Sequence, residues 1–432
     1  MKNFNIKMLL LLFFTILVFN QINAQELLSL REAVAEALSA NHDIQVAKNN
    51  AEIGRNNVNI GNADLLPRID FISGANYYDN DVQMSSGINN QVFTNTSAKI
   101  QASYTLFDGF GNIYTFNKLK AAGQLAELQA RYTIENVLLN VSSAYYSVAR
   151  AEENLRITQE LVSISLERLD RARKKSEYGQ AKSIDVLSAE VDLNADSVSL
   201  LNSMEILNET KYNLNLMLNR DINLTFTVER NVNFTEMGSE SELIEAALTS
   251  NSEYLLSKKD FEMSELDLKI TSSADLPSLT LQTSYGYNQS LDNLSLGLYE
   301  PDKSFAAGVT LSYNLFNGFR NSIQKQNAEI SVKNKELMNK KALLSLRKEI
   351  TNSLLAYQNS LNILDIQKRN FSAAEQNFKR ANELYSLGQL TTTTFREAQL
   401  NLISSKNNIT NATYDSKLYE IDLMRITGQL VK

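Results

Sequence analysis

The sequence predicts a mainly α-helical chain with four β-strands, built as a tandem of two similar halves. Residues 103–112, Ser-Tyr-Thr-Leu-Phe-Asp-Gly-Phe-Gly-Asn, return 209 positions later as Ser-Tyr-Asn-Leu-Phe-Asn-Gly-Phe-Arg-Asn at residues 312–321. Residues 112–178 and 320–387 together contain one glycine and no proline, as long helices require. The period is much longer than the roughly 20 to 50 residues of solenoid repeats, so a whole structural module is duplicated.

The first 24 residues are typical of a secretory signal. Lys2 and Lys7 precede an apolar run at residues 8–19, and residues 22–24 form a plausible cleavage site. The run is shorter than the about 20 residues that a membrane-spanning helix needs, and no later apolar stretch reaches that length. We therefore expect an exported chain that either stays soluble or crosses a membrane only by strands.

The composition removes several classes of function. The chain has no cysteine, which excludes disulfides and thiol chemistry, and its net charge of −7 argues against nucleic acid as a partner. The single histidine, His42, lies at a predicted joint between two helices, which speaks against a Ser-His-Asp triad or a His-based metal site. We expect no enzyme, no cofactor and no metal, and a hydrolase is a distant third hypothesis that substitution of His42 would test.

The two halves, residues 25–230 and 231–432, share one predicted order: helix, strand, loop, strand, long helix, turn, helix. In the long helices, apolar and small side chains recur in alternating steps of four and three, from Val137 onward and again from Leu346. Ser, Thr, Ala and Gln dilute this stripe. A helix in the wall of a wide helical barrel therefore fits the pattern better than a two-stranded coiled coil.

Each long helix is predicted to end at a short turn that contains a glycine, Gly179 or Gly388. Glycine suits the positive φ that helix ends favour, and Ser183 is predicted to cap the helix after the first turn. Each half therefore contains a long coiled-coil helical hairpin, at about residues 112–218 and 320–428.

Four stretches alternate apolar and polar side chains, which predicts strands with one apolar and one polar face. The predicted strands are about residues 68–78, 97–107, 278–288 and 305–316. Pro67 and Pro277 stop the helix before the first strand of each half. Asn/Ser/Gly-rich loops are predicted at residues 80–95 and 289–303. Tyr and Phe cluster near the strand ends, as in an interfacial aromatic belt or in ordinary packing between helices and sheet.

The number of strands limits the possible assemblies. Strands of about ten residues suit a tilted membrane crossing, but open sheet edges cannot be left in lipid, and a closed sheet needs at least eight strands. Two chains would supply eight strands, whose side chains fill the interior, whereas three chains would supply twelve and leave a passage. The sequence thus predicts four transmembrane strands per chain in a trimeric α-barrel and 12-stranded β-barrel.

With these features, the chain resembles the TolC-like outer-membrane efflux protein family over its whole mature length. The resemblance is carried by the order and duplication of short motifs, each weak alone. They are Leu-Phe-Asp-Gly at residues 106–109 and Leu-Phe-Asn-Gly at residues 315–318, the paired turn glycines, the opening Leu-Arg-Glu-Ala-Val-Ala-Glu-Ala-Leu at residues 30–38 with Asn41, and the closing Ile-Thr-Gly-Gln at residues 426–429.

The resemblance implies a homotrimer in the outer membrane of a Gram-negative bacterium, with a helical tunnel that extends into the periplasm. Its implied partners are a periplasmic adaptor (membrane fusion protein), an inner-membrane pump of the RND, ABC or a similar class, and outer-membrane lipid. Such a protein is the passive channel of a tripartite efflux or type I secretion system. The alternative is an exported periplasmic coiled-coil structural or adaptor protein, whose strands would face water and need no apolar face.

The resemblance also implies site residues at the hairpin tips. The periplasmic gate would comprise Asp185, Tyr385, Glu397 and Thr394, and the adaptor would contact Gly179, Gln180, Leu387, Gly388 and Gln389. Rings of three Asp185 and three Glu397 in a trimer would favour cations. Leu390 stands where the family has a basic residue and Thr394 where it has an acid, which puts the family's locking ion pairs in question.

Simpler roles are open for the same residues. Asp185 can stabilise a helix N-terminus through the macrodipole. Tyr385 can belong to the packing of the tip, and the two turn glycines can serve the backbone alone.

Overall fold

A computed structural model describes residues 26–84, 87–179, 182–292 and 302–430. The predicted signal sequence, residues 1–24, lies outside the described residues. Most of the described chain is helical. The helices are α1 (Leu30–Ala40), α2 (His42–Asn57), α3 (Gly111–Glu177), α4 (Ser183–Met217), α5 (Glu240–Ser250), α6 (Ser252–Ser273), α7 (Arg320–Ser386) and α8 (Thr392–Ile426).

The helix lengths repeat between the two halves. α3 and α7 each have 67 residues, and α4 and α8, which follow them across the tip turns, each have 35. Neither 67-residue helix contains a proline, and α3 contains Gly123 as its single interior glycine. The two hairpins are therefore built to the same dimensions. Among the described helices, none is both long enough and apolar enough to cross a bilayer.

The strands form two sheets. They are β1 (Glu26–Leu28), β2 (Arg68–Met84), β3 (Gly87–Phe107), β4 (Phe226–Val228), β5 (Ser278–Asp292) and β6 (Asp302–Ser312). β2, β3, β5 and β6 form an antiparallel sheet in that order, so that β2 and β6 are its edges. β1 and β4 pair in parallel, which the sequence patterns did not predict.

The strands of the larger sheet differ in length from the predicted ones. β2 and β3 stay paired from Arg68↔Ser103 to Met84↔Gly87, through most of the predicted loop at residues 80–95. Each added pair extends a ladder that already exists, so the low strand propensity of Asn and Asp is overridden. The Asn90 side chain also bridges the strands, because its Nδ2 donates to Asp79 Oδ1 at 2.7 Å. β6 ends at Ser312, since a turn toward α7 follows.

The larger sheet has two chemically distinct faces. One face carries apolar side chains that are mostly exposed in the single chain, such as Phe71 (72%), Phe305 (70%) and Leu311 (68%). On β3, β5 and β6, the opposite face carries small and polar side chains. Those near the middle of the strands are Ser97, Lys99, Gln101, Ser103, Gln282, Ser284, Gly286, Ser304, Ala306 and Gly308.

The Leu-Phe-Asp/Asn-Gly motifs form the turns from strand to long helix. Gly109 and Phe110 have φ of 71° and 71°, and Gly318 and Phe319 have φ of 68° and 65°. Asp108 Oδ2 accepts a hydrogen bond from the Asn112 amide at 2.6 Å, which caps the start of α3. Two consecutive residues in the left-handed region explain why a glycine recurs in both motifs.

The chain divides into two compact units. The first comprises Ile134–Leu243 with the terminal segments up to Gln45 and from Ile350, and the second comprises Val46–Thr133 with Ile244–Glu349. The first unit packs around Tyr145 and Phe226, and the Tyr145 hydroxyl donates to the Leu28 carbonyl at 3.0 Å. His42 lies exposed at the start of α2.

The second unit contains the larger sheet and a close helix crossing. A Cβ atom on Gly54 of α2 would lie 2.5 Å from Ala126 Cβ, and one on Gly123 of α3 would lie 2.7 Å from Val58 Cγ2. The two glycines therefore let α2 and α3 approach closely, which explains the one glycine inside the long helix.

Candidate functional site

Each helical hairpin turns through a glycine in the left-handed region. Gly179 has φ of 70° and Gly388 has φ of 76°. The Gly388 amide donates to the Tyr385 carbonyl at 3.1 Å and the Gln389 amide to the Leu384 carbonyl at 2.9 Å, so the last carbonyls of α7 are satisfied. A Cβ atom on either glycine would meet nothing within 4 Å. The backbone conformation, and no close packing, therefore accounts for glycine at both tips.

Both tips expose large side chains. Tyr178 is 79% exposed and Leu387 is 70% exposed, and each immediately precedes its turn glycine. Gly179, Gly388 and Gln389 lie beside them, while Gln180 lies outside the described residues. The predicted adaptor-contact residues that the structure describes are thus on accessible turns.

Tyr385 lies within the packing of its own tip. It is 6% exposed, and its ring stacks on Phe395 of α8 with the ring centroids 4.5 Å apart. Lys175 Nζ of α3 lies 5.3 Å from the centre of the Tyr385 ring. Tyr385 therefore ties α7 to α8 and also contacts the end of α3.

The helices after the turns begin in corresponding ways. The N-cap of α4 is Lys182 and not Ser183 as predicted, because the carboxylate of Asp185 accepts the Lys182 amide at 3.2 Å. At the start of α8, Thr391 Oγ1 accepts the Thr394 amide at 3.2 Å, and the two hydroxyls lie 2.9 Å apart. Asp185 and Thr394 thus occupy the same position in the two helices, and both take part in capping.

Asp185 and Glu397 meet at one cleft in the first unit. The cleft has a volume of about 500 Å³ and lies between the first turns of α4 and α8. Arg168, Asp192 and Arg396 line it together with the two acids. Asp185 is half-buried and Glu397 exposed. The structure therefore brings the two predicted gate acids to the same place, from opposite halves of the sequence.

At the wall of the cleft, Arg396 anchors α8 to the first hairpin. Its Nη1 and Nη2 each donate to one oxygen of the Asp196 carboxylate at 2.7 Å. Asp196 is 4% exposed, and its Oδ2 also accepts from Ser165 Oγ of α3 at 2.5 Å. Gln399 Nε2 donates to Ser165 Oγ at 3.0 Å. This network, which we call the tip clamp (Ser165, Asp196, Arg396 and Gln399), joins α3, α4 and α8.

The tip clamp keeps Arg396 charged. Burial opposes the charge of the guanidinium, but the hydrogen bonds and the charge of Asp196, helped by Asp192, raise the pKa of Arg396 above its ordinary value. Two parallel N–H···O bonds to one carboxylate also fix the orientation of the side chain. The clamp is thus both an ion pair and a geometric constraint.

A second arginine, which is fully buried, lies beside the clamp. Arg168 of α3 is 1% exposed and pairs with Asp192 of α4. Its Nε and Nη1 have no hydrogen-bond partner among the described residues. Together, Arg168 and Arg396 place two cations beside the acids of the cleft.

The sequence patterns did not reveal the tip clamp. Its members are far apart in the chain. Ser165 is 231 residues from Arg396 and 234 residues from Gln399. One signal was available, because Arg396 stands where the first half has Leu187, and Asp196 where the second half has Ser405. Both members of this ion pair are replaced by uncharged residues in the other half of the repeat. The contact is therefore not duplicated.

The comparison with protein families gives a direct match. The model of the family described as "Outer membrane efflux protein" matches residues 33–220 and 243–429. Outer membrane protein TolC of Vibrio cholerae is 26% identical over 96% of this chain and 90% of its own length. Toluene efflux pump outer membrane protein TtgC of Pseudomonas putida is 22% identical over 93% of this chain and 83% of its own length.

Solved structures share the fold. The CmeC outer membrane channel of Campylobacter jejuni superposes with a TM-score of 0.80 at 17% identity, over 93% of this chain and 86% of that one. The MtrE outer membrane channel of Neisseria gonorrhoeae gives a TM-score of 0.77 at 17% identity, over 93% of this chain and 89% of that one. Both of these solved structures are outer membrane channels. The chain belongs to the outer membrane efflux protein family and is an outer-membrane efflux channel.

Proposed function

We propose that three copies of the chain form one passive duct, in which each copy contributes four strands to a closed twelve-stranded ring. The observation that carries the proposal is the four-stranded sheet, with one exposed apolar face, one polar face and two edges, β2 and β6. Edge strands need partners in lipid, and strands of a neighbouring copy supply them. The polar face then lines the passage, and the apolar face contacts lipid.

The partners of the duct are a periplasmic adaptor and an inner-membrane pump, which supplies the energy for efflux or type I secretion. The adaptor docks on the tip turns at Gly179, Gln180, Leu387, Gly388 and Gln389. The exposure of Leu387 and of the turns around the two glycines supports this assignment. Aromatic and aliphatic side chains on exposed turns are suitable anchors for a protein partner.

The gate of the duct lies where the first turns of α4 and α8 meet. Asp185 and Glu397 supply its charge, and their place on one cleft supports this role. Tyr385 and Thr394 position the gate, Tyr385 by stacking on Phe395 and Thr394 by donating its amide to Oγ1 of the N-cap residue Thr391. No catalytic step belongs to this function. His42, the residue on which a hydrolase would depend, is exposed at a helix joint.

The native mass of the protein extracted from outer membranes in detergent tests the proposal. Three chains per particle are expected, because a sheet of four strands leaves two edges unpaired in lipid. A monomer that is recovered without detergent would contradict the duct. That result would favour the exported periplasmic coiled-coil protein, whose sheet faces water.

A further inference from the structure

Lys99 lies in the middle of the polar face of the larger sheet. On β3 it is placed between Ser97 and Gln101 on that face, and it pairs with Gly286 on β5 and Ile72 on β2. Its side chain is exposed, and the structure assigns it no ion pair and no hydrogen bond among the described residues. A cation is therefore presented on the face that lines the proposed passage.

The other charges on this face leave the charge of Lys99 uncompensated. Arg68 and Asp70 pair with each other on β2, with Nε and Oδ2 3.0 Å apart. Asp302 is on the same face but at the start of β6, two strands away from Lys99. Among the side chains that the structure describes in the four strands, Lys99 is thus the single unpaired cation on the polar face.

The surroundings of Lys99 form a polar hollow. A cleft of about 350 Å³ is lined by Lys99, Gln101, Gln282, Ser284, Gly308 and Thr310. Gly308 leaves the space open, because a Cβ atom there would meet nothing within 4 Å. Gly286 pairs with Lys99 and lies so close that an added Cβ atom would be 2.5 Å from Lys99 Cβ. Amide and hydroxyl groups at the wall can donate to an anion that Lys99 attracts.

We propose that Lys99 makes the strand section of the duct select for anions, and that its hollow binds the anionic oxygens of small carboxylate or phosphate solutes. The proposal rests on the proposed trimeric duct, in which three copies of Lys99 form a ring. Rings of lysine favour anions, and a low-dielectric wall concentrates their field in the lumen. The sign is opposite to that of the gate acids Asp185 and Glu397, so the duct carries two selective sections of opposite preference.

The test is the reversal potential of single channels in planar bilayers under a potassium chloride gradient. The variants are Lys99→Gln and Lys99→Glu, compared at low salt because screening weakens the effect at high salt. The chloride-to-potassium permeability ratio is expected to fall about two-fold in Lys99→Gln and further in Lys99→Glu. The matched control is Lys303→Gln. Lys303 lies on the apolar face, where it is the cross-strand partner of Tyr287, so this substitution should leave the permeability ratio unchanged.

The same comparison is repeated with Asp185→Ala and Glu397→Ala present, so that the gate acids do not hide the contribution of the strand section. An unchanged ratio for both Lys99 variants in this background overturns the inference and leaves the duct standing. Wild-type protein that forms no conducting trimer overturns both. Equal shifts in Lys99→Gln and Lys303→Gln also overturn the inference, because a general surface charge would then explain them.

A chemical test uses the absence of cysteine from the chain. Lys99→Cys should react with a water-soluble methanethiosulfonate reagent, and a cationic reagent should restore the anion preference while an anionic one reverses it. Ile100→Cys, on the apolar face, should stay unreactive in the membrane. Addition of inorganic phosphate should reduce the single-channel current of wild-type protein more than that of Lys99→Gln. Equal reduction overturns the binding part of the inference.

Discussion

Arg396 is a half-buried cation that is held mainly by one carboxylate. Asp196 holds it with two hydrogen bonds of 2.7 Å, and the remaining partner of Asp196 is Ser165. We predict that Asp196→Ala lowers the free energy of unfolding by about 1.5 to 3 kcal/mol, because the guanidinium loses two charge-assisted hydrogen bonds and keeps only the more distant Asp192, with Nε and Oδ2 3.9 Å apart. Denaturant unfolding of the detergent-extracted protein measures the change.

A surface ion pair serves as the control for this prediction. Asp365 and Arg369 on α7 are 3.3 Å apart, and both side chains are mostly exposed. Asp365→Ala should lower the free energy of unfolding by less than about 0.5 kcal/mol. Equal losses in Asp196→Ala and Asp365→Ala would mean that the tip clamp contributes no more than a solvated pair.

Buried tyrosines make the first unit sensitive to alkaline pH. Burial raises the pKa of Tyr146, Tyr357 and Tyr414 from 10.0 to about 12, helped at Tyr146 and Tyr357 by the charge of Glu420 and at Tyr414 by that of Glu153. The unfolded chain loses these protons first, so the stability they contribute is present below pH 10 and lost as the pH rises to about 12.

We therefore expect the denaturant concentration at the midpoint of unfolding to decrease as the pH rises from 10 to about 12. The decrease should be smaller in Tyr146→Phe. The phenolate absorbance of the folded protein should show a group of tyrosines that ionises late. Complete ionisation near pH 10 in folded protein would contradict the expected shift.

At the scale of elements, the tip turns depend on the backbone freedom of glycine. Gly388 has φ of 76°, which an alanine adopts only with strain, so Gly388→Ala should cost about 1 kcal/mol. The control is Gly308→Ala in β6, where the added Cβ atom meets nothing within 4 Å and little change is expected. The melting temperatures of the two variants test this prediction. If Gly388→Ala is as stable as Gly308→Ala, alanine is not strained at position 388.

The larger sheet shows how pairing changes the length of an element. Residues 80–84 and 87–95 include four Asn, two Gln, Asp81 and Gly87, and this polar composition predicts a loop. They are strand in the structure because β2 and β3 continue one register from Arg68↔Ser103 outward. The backbone hydrogen bonds between β2 and β3 stabilise these residues as strand more than their low strand propensity disfavours it.

At the scale of the whole molecule, we expect the proposed gate acids, Asp185 and Glu397, to set the charge preference at the tips. Asp185 and Glu397 line one cleft, and a trimer would present three of each. We predict that Asp185→Ala with Glu397→Ala lowers the potassium-to-chloride permeability ratio of single channels. An unchanged reversal potential would remove both acids from the passage. Asp43→Ala, at the exposed start of α2, is the control and should have no effect.

The sequence alone determined the tandem, the order of elements, the two hairpins with their glycine tips and the two faces of the strands. Each of these features depends on residues that are close together in the sequence. A helix needs a period of 3.6 without Pro or Gly, a strand a period of two, and a left-handed turn a glycine. The motif at residues 106–109 illustrates this. In the structure, its last residue, Gly109, and the next residue, Phe110, adopt left-handed backbone conformations, and a long helix begins directly after them.

Only the tertiary structure decided the strand lengths, the β1–β4 pairing and the tip clamp. Asp196 and Arg396 are 200 residues apart, and no local pattern shows that they meet. Tyr385 follows the same rule, because its stacking on Phe395 depends on how α7 packs against α8. Asp185 does not, since it caps α4 at Lys182, only three residues away. Contacts between distant segments depend on how the helices pack, and that packing is a property of the whole fold.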